Sequence, residues 1–169
     1  MVDDVSAICE EIDWFAGEEF PMIQTRDLNI LDSYPDIKKV IVDKVNDVLQ
    51  SIIDKCIIEP GYTDLYIQII KSIQDEYKVD ISSIIDNSIK SVYVEKTYTK
   101  DYDGLCEYNH SSDRCIALSL LISKLENYKL LKNYTKNIIN KCFNKIDIEN
   151  DDTTFKYIGC LFKIFESNP

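Results

Sequence analysis

The fold of this chain is decided by residues 111–125, which read SSDRCIALSLLISKL. The middle of this stretch is apolar on nearly every side of a helix, and such a helix belongs inside a bundle rather than on its surface. Ser111 or Ser112 can cap the free amides at its start, and Asp113 suits the positive end of the helix dipole. The sequence therefore predicts a buried central helix that begins at about residue 111.

Arg114 breaks a local rule in this helix, because a cation in the first turn is slightly destabilising. Residues that break local rules tend to mark functional sites. The chain has one other arginine, Arg26, and its remaining basic residues are lysines. Arg114 is therefore the leading candidate binding residue. The alternatives are a solvated arginine or an internal ion pair, with Asp113 or with an acid of the helix that precedes the central one.

Apolar residues at helical spacing predict six further helices around the central one. Pro21 ends the first of them, and Pro60-Gly61 separates the second from the third. Asp80 is a suitable cap for the fourth. Residues 1–34 hold the first helix and a connection. The six helices are expected at about residues 4–20, 35–56, 63–77, 81–92, 131–146 and 155–165.

Residues 95–110 differ from the rest, because Tyr98, Tyr102 and Tyr108 stand among charges with no period. We expect a long loop before the central helix, and loops of that length are usually functional or disordered. The tyrosines are either a second binding surface or part of a polar loop. Because no segment reads better as a strand, residues 1–169 are expected to form a single all-α domain, a bundle of about seven helices around a central hydrophobic helix.

The formal net charge of −11 argues against nucleic acid as a partner, since phosphate binding needs clustered lysine and arginine. The one histidine, His110, has no evident catalytic partner, and the four glycines are too scattered for a phosphate-binding loop. We therefore expect neither an enzyme nor a cofactor.

The six cysteines include no C-x-x-C pair, which argues against a metal site. Four of them, Cys56, Cys115, Cys142 and Cys160, fall at apolar helical positions, where a free thiol acts as a small hydrophobic side chain. The first residues lack the pattern of a signal peptide, and no run reaches the length of a membrane span. These features indicate a reducing, intracellular compartment.

Three segments resemble the Bcl-2-like proteins of poxviruses, which block host apoptosis. Residues 64–69, DLYIQI, are similar to the acid-Leu/Met-Tyr segment of that family, and residues 80–85, DISSII, are similar to the start of its fourth helix. Residues 112–121, SDRCIALSLL, resemble the viral form of the first Bcl-2 homology region, a Ser-Val-(Lys/Arg)-Leu-Ala-Thr-Leu-(Ser/Thr) pattern. The resemblance covers roughly residues 34–165.

The resemblance implies a Bcl-2-like bundle that holds host pro-apoptotic Bcl-2-homology-three helices, of the Bim, Bid, Bax or Bak type, in a hydrophobic groove. Arg114 then takes the place of the basic residue that pairs with the invariant aspartate of those helices. Apolar residues at helical spacing are expected in any helical core, so periodicity alone does not show whether such residues line a groove or are simply buried. The implied groove residues are Arg114, Val48, Leu49, Ile52, Leu65, Ile69, Ile84, Ile85 and Ala117.

The chain departs from the family in two respects, its longer segment 95–110 and the lack of the hydrophobic tail that anchors apoptosis-blocking members to mitochondria. Relatives without that tail include inhibitors of innate immune NF-κB signalling, which bind adaptors with a closed groove. Both functions therefore stay open, as does a homodimer. The resemblance implies the host cell cytoplasm, or the mitochondrial outer membrane if an anchor follows Pro169.

Overall fold

The computed structural model describes the backbone of residues 35–94, 98–148 and 151–168, and the side chains of residues 44–94, 98–146 and 154–168. Six α-helices account for most of these residues. A 3₁₀ turn, Pro60–Tyr62, lies between the first two helices, and no strand occurs in these residues. The predicted all-helical fold is thus confirmed for them, whereas the predicted helix at residues 4–20 lies outside the described residues. The helices are α1 (Pro35–Ile58), α2 (Thr63–Tyr77), α3 (Ser82–Val92), α4 (Tyr102–Asn127), α5 (Tyr134–Ile148) and α6 (Asp151–Ser167).

α4 is the central helix of the bundle, because it contacts each of the other five described α-helices. Its side chains Leu118, Leu121, Ile122 and Leu125 are completely buried. Burying a leucine or isoleucine in this way contributes roughly 1.5–3 kcal/mol relative to leaving it in water. The apolar stretch that predicted a central helix therefore does lie at the centre of the described bundle.

The start of α4 corrects the sequence analysis, because residues 102–110 are helical and not part of a loop. Asp101 caps the helix, since its Oδ1 accepts hydrogen bonds from the Gly104 N–H at 2.8 Å and from Thr99 Oγ1 at 2.7 Å. The Gly104 bond, followed by the Thr99 bond, holds the pKa of the Asp101 carboxyl below its usual range. These first turns of α4 are mostly exposed, with only Gly104 buried between residues 102 and 110. An exposed helix has no apolar stripe, so its period is absent from the sequence.

The predicted caps Ser111 and Ser112 are also wrong, because both residues lie inside α4. The Ser112 hydroxyl donates to the Tyr108 carbonyl at 2.8 Å, within the helix. Arg114 consequently sits in the middle of α4, away from the first turn, and the helix dipole does not act against it.

The breaks between the first helices follow the sequence more closely. At the 3₁₀ turn the Thr63 hydroxyl donates to the Pro60 carbonyl at 2.7 Å, where a break was predicted. Ile81, rather than the predicted Asp80, occupies the N-cap position of α3. Asp80 lies one residue earlier, and its Oδ1 still accepts a hydrogen bond from the Ser82 N–H at 2.9 Å. α1 bends at Lys44, whose backbone is not helical (φ −140°, ψ 35°), although the apolar pattern runs through this point.

α6 packs on the bundle with a different side from the one that the pattern suggested. The periodic residues Phe155, Ile158, Phe162 and Phe165 are exposed, and of the predicted face only Leu161 is buried. The core side of α6 instead carries Tyr157, Cys160, Leu161 and Ile164. Because α6 is apolar on both sides, periodicity could not say which side would meet α4.

Two glycines give a matched test of the start of α4. A Cβ at Gly104 would overlap the backbone carbonyl oxygen of Thr99, whereas a Cβ at Gly61 would meet nothing within 4 Å. We expect Gly104→Ala to lower the free energy of unfolding by about 1–3 kcal/mol, as overpacking does, despite the better helix propensity of alanine. Gly61→Ala should change it by less than about 0.5 kcal/mol or raise it slightly. Urea unfolding followed by circular dichroism measures both, and equal effects would contradict this position for the start of α4.

Candidate binding pocket around Arg114

Arg114 lines an open cavity of about 470 Å³ between α4, α1 and α3. We call this cavity the Arg114 pocket. Its side chain is partly exposed, so a molecule from solution can reach the guanidinium. All but one of the lining residues are polar or charged. They are Gln50, Asp54, Ile58, Asn87, Ser88, Ser91 and Arg114.

The wall of the Arg114 pocket that faces α4 is held by hydrogen bonds between α1 and α3. Gln50 Nε2 donates to Asp54 Oδ1 at 3.1 Å and to Ser88 Oγ at 3.4 Å. Ser88, which is buried, donates to the Ile84 carbonyl at 3.0 Å. The side chains of Gln50, Asp54 and Ser88 therefore have hydrogen-bond partners within the wall itself.

Arg114 differs from that wall, since its guanidinium makes no hydrogen bond or ion pair with the part of the chain that the structure describes. A guanidinium presents five N–H donors in a planar fork that matches a carboxylate or phosphate. Asp54 lines the same cavity on α1, so the lining of the pocket carries one charge of each sign. This arrangement can bind a single anionic group on the α4 side.

The other eight residues of the predicted groove lie together in the hydrophobic core of the bundle, and none of them lines the Arg114 pocket. Seven of these eight side chains are buried, and Leu65 is partly buried against the same cluster. The structure therefore brings them together, and Arg114 lies at the edge of the cluster with its polar pocket. The seven buried residues are Val48, Leu49, Ile52, Ile69, Ile84, Ile85 and Ala117.

Sequence reasoning missed the polar lining of the pocket. Ser88 interrupts the apolar stripe of α3 between Ile85 and Ile89, and Gln50 and Asp54 stand one turn apart on α1. A buried serine within an isoleucine stripe was the available signal, because a buried hydroxyl needs a hydrogen-bond partner.

A second cluster of chemically active side chains is buried behind α4, where Cys115, Cys142 and Cys160 surround Tyr93 and Ser119. Tyr93 Oη and Ser119 Oγ are hydrogen-bonded at 2.6 Å, and Tyr93 donates to Cys160 Sγ at 3.8 Å. Burial raises the pKa of the Cys115 thiol to about 12, and a hydrogen bond to Cys160, with burial, raises the pKa of Cys142. A protonated thiol is a poor nucleophile and a poor metal ligand. The hydrogen bond with Cys142 instead lowers the pKa of Cys160, but this thiol is completely buried and out of reach of a reagent in solution.

The described cysteines are all free, as predicted, and no group of three or more histidine, cysteine or acidic side chains in the described residues could hold a metal ion. His110 is exposed on α4, so its predicted place in a loop is corrected while its solvated environment is confirmed. None of the helices in the described part of the chain combines the length and apolar character needed to cross a membrane.

Comparisons with protein-family models, with curated proteins and with solved structures found no match for this chain. The helices, the Arg114 pocket and the buried core are therefore the observations on which a function has to rest.

The buried thiols allow a direct test of this packing. We expect iodoacetamide at pH 8 to modify Cys106, which is exposed, in the native protein in a Cys9→Ser background. At this pH a thiol with a pKa of about 12, such as Cys115, is ionised on the order of one part in 10⁴. Mass spectrometry should find the other thiols modified only after unfolding in urea. These buried thiols are Cys56, Cys115, Cys142 and Cys160. Rapid labelling of any of the four in the native protein would contradict the packing described here.

Proposed function

We propose that this chain is a viral Bcl-2-like inhibitor of host apoptosis, which captures a pro-apoptotic helix and acts without catalysis. The observation that carries the proposal is the guanidinium of Arg114, which has no partner among the described residues and lies in an open pocket between α1, α3 and α4. The resemblance of residues 112–121 to the first Bcl-2 homology region supports the same residue from the sequence.

In this proposal the Arg114 guanidinium donates two parallel, charge-assisted hydrogen bonds to the carboxylate of the partner helix. Asp54, on the α1 side of the same pocket, disfavours a carboxylate placed close to α1. The two charges together direct the acidic group towards α4. That contact would set the register of the partner helix, while its apolar side chains at helical spacing supply contact area.

The apolar side chains of the partner helix need a groove, and the residues expected to line it are buried. Ile52 on α1 and Ile84 and Ile85 on α3 are among them. Capture of a helix therefore requires α1 and α3 to move apart, which lowers the affinity by the population of the open state.

The same burial favours a second candidate function, a Bcl-2-like inhibitor of innate immune NF-κB signalling that binds an adaptor with its groove closed. In that case the outer surface of the bundle, rather than a groove, would meet the partner. The two functions differ in one measurable property, the binding of an isolated pro-apoptotic helix.

Titration calorimetry with a Bim-type helix peptide tests the first function. We expect a Kd of about 1 μM or tighter for the full chain. Arg114→Glu should weaken binding by at least about 2 kcal/mol, roughly thirtyfold, because it places two carboxylates together in a partly dehydrated site. Replacement of the peptide aspartate by alanine should weaken binding to the native chain and have little further effect in the Arg114→Glu variant.

A matched control is Lys132→Glu, which makes the same change of charge at an exposed position that does not line the pocket. This variant should bind within about twofold of the native chain, since exposed charges outside the contact act only through screened, long-range terms. Equal losses in the two variants would mean that net charge, not the pocket, controls binding. Absence of heat with a panel of such peptides would reject the first function in favour of the second.

A further inference from the structure

Four large apolar side chains form an exposed stripe along α6. Phe155, Ile158, Phe162 and Phe165 have 70%, 49%, 62% and 57% of their surface exposed. We call these four residues the α6 ridge. Their spacing of 3, 4 and 3 residues places them on one side of the helix, along about 15 Å of its length. Single exposed apolar residues are common, but a continuous aromatic stripe marks a contact surface.

The opposite side of α6 is already occupied by the bundle. Tyr157, Cys160 and Ile164 are buried there, and Gly159 permits so close an approach that an added Cβ would lie 2.6 Å from Ile116 Cδ1 on α4. α6 is therefore apolar on the side that meets α4 and apolar again on the outside. A helix with two apolar sides belongs between two layers of structure. One layer is the described bundle, and the α6 ridge is left for the other.

Residues 4–20, which lie outside the described residues, carry an apolar pattern that matches the α6 ridge. Val5, Ile8, Ile12 and Phe15 follow one another at intervals of 3, 4 and 3 residues, the same intervals as in the ridge. Alternating intervals of three and four are the seam of two helices that pack lengthwise. The two stripes therefore have the same length and the same repeat.

The charge of α5, the helix that packs beside α6, also favours this contact. Residues 1–20 contain seven acidic side chains and no lysine or arginine. α5 carries Lys136, Lys141 and Lys145 against one acidic residue, Asp147, whereas Lys163 of α6 is ion-paired with Glu166. In a chain with a net charge of −11, the excess of lysine on α5 favours an acidic segment as its partner.

The connection between the two elements is long enough for this contact. Residues 21–34 comprise 14 residues between the segment and the start of α1 at Pro35. An extended connection of that length spans about 45 Å. This exceeds the diameter of a domain of this size, whose radius of gyration is roughly 15 Å. The segment can therefore reach any side of the bundle in its own chain.

We propose that residues 4–20 dock as an amphipathic helix along the α6 ridge of the same chain. Val5, Ile8, Ile12 and Phe15 cover the ridge, and the acidic side chains beside them face the lysines of α5. None of the ridge residues lines the Arg114 pocket, so this contact holds or fails independently of the proposed function. It closes the outer side of α6 and completes the bundle with a seventh helix.

Disulfide trapping tests the contact in the full-length chain. In either direction of packing, Ile12 lies opposite Ile158 or Phe162, because these positions are central in both stripes. We expect Ile12→Cys combined with Ile158→Cys or with Phe162→Cys to form a disulfide within one chain on mild oxidation, in a Cys9→Ser/Cys106→Ser background. Paired with Tyr102→Cys, at an exposed position on α4, Ile12→Cys should give at least about fivefold less linked monomer, since packing must hold the Cβ atoms within disulfide reach.

A second measurement does not depend on cross-linking. Ile8→Glu/Ile12→Glu should release the segment and raise the emission of the dye 1-anilinonaphthalene-8-sulfonate at least about twofold, because the dye binds the uncovered ridge. The control Ser6→Glu/Ala7→Glu adds the same charge on the other side of the predicted helix and should leave the emission unchanged. Linked dimers in place of linked monomers would assign the ridge to a second copy and overturn the proposal. So would the absence of any link together with unchanged dye binding.

Discussion

The burial of the apolar second half of α4, residues 115–125, is the constraint on which the rest of this structure depends. A helix without a polar side has no stable position at a surface, so the other described helices pack around it. Leu118, Leu121, Ile122 and Leu125 are inaccessible to water at its centre. Each surrounding helix needs only one apolar side to complete this core, and its outer side stays polar in most cases. α6 is the exception, since both of its sides are apolar.

Polar groups inside α4 decide how its neighbours are aligned along it. Ser119 and Ser123 are completely buried, and a buried hydroxyl without a partner is destabilising. Ser119 donates to the Cys115 carbonyl within α4 and is also hydrogen-bonded to Tyr93 beyond the end of α3. Ser123 accepts hydrogen bonds from Ser167 and Asn168 at the end of α6. Apolar contacts alone would tolerate a shift of one helix along another. These hydrogen bonds specify one alignment, and with it the cavity that forms beside Arg114.

The two surfaces with a potential partner differ in chemistry because they lie on different helices. The Arg114 pocket is small and polar, with hydrogen-bonded walls on α1 and α3 and, on α4, a cation that pairs with none of the described residues. Such a site selects a single acidic group and contributes specificity more than contact area. The α6 ridge is long and apolar, so it favours a partner helix whose apolar side chains have a complementary shape and the same spacing. Under the two proposals made above, an outside partner would bind at the Arg114 pocket while residues 4–20 would cover the α6 ridge.

The sequence determined the elements whose apolar period faces a core. The bounds of α2, Thr63–Tyr77, agree with the pattern, and so do the break at Pro60 and the central position of residues 111–125. The first turns of α4 escaped detection because they are exposed and therefore have no stripe. Asp101 was the local signal, since aspartate is a favoured N-cap and accepts the Gly104 N–H.

Only the tertiary structure decided which apolar side of a helix is covered and by what. The period of α6 identifies Phe162 as readily as Ile164, yet Ile164 is buried and Phe162 is exposed. The same limit applies to Ile84 and Ile85, which a sequence can assign to a helix but not to a core or an open groove. The sequence did not predict the pocket for a related reason, because Gln50, Ser88 and Arg114 are far apart along the chain. A periodic pattern records that a side chain prefers to leave water, and the packing of the whole bundle determines where it can do so.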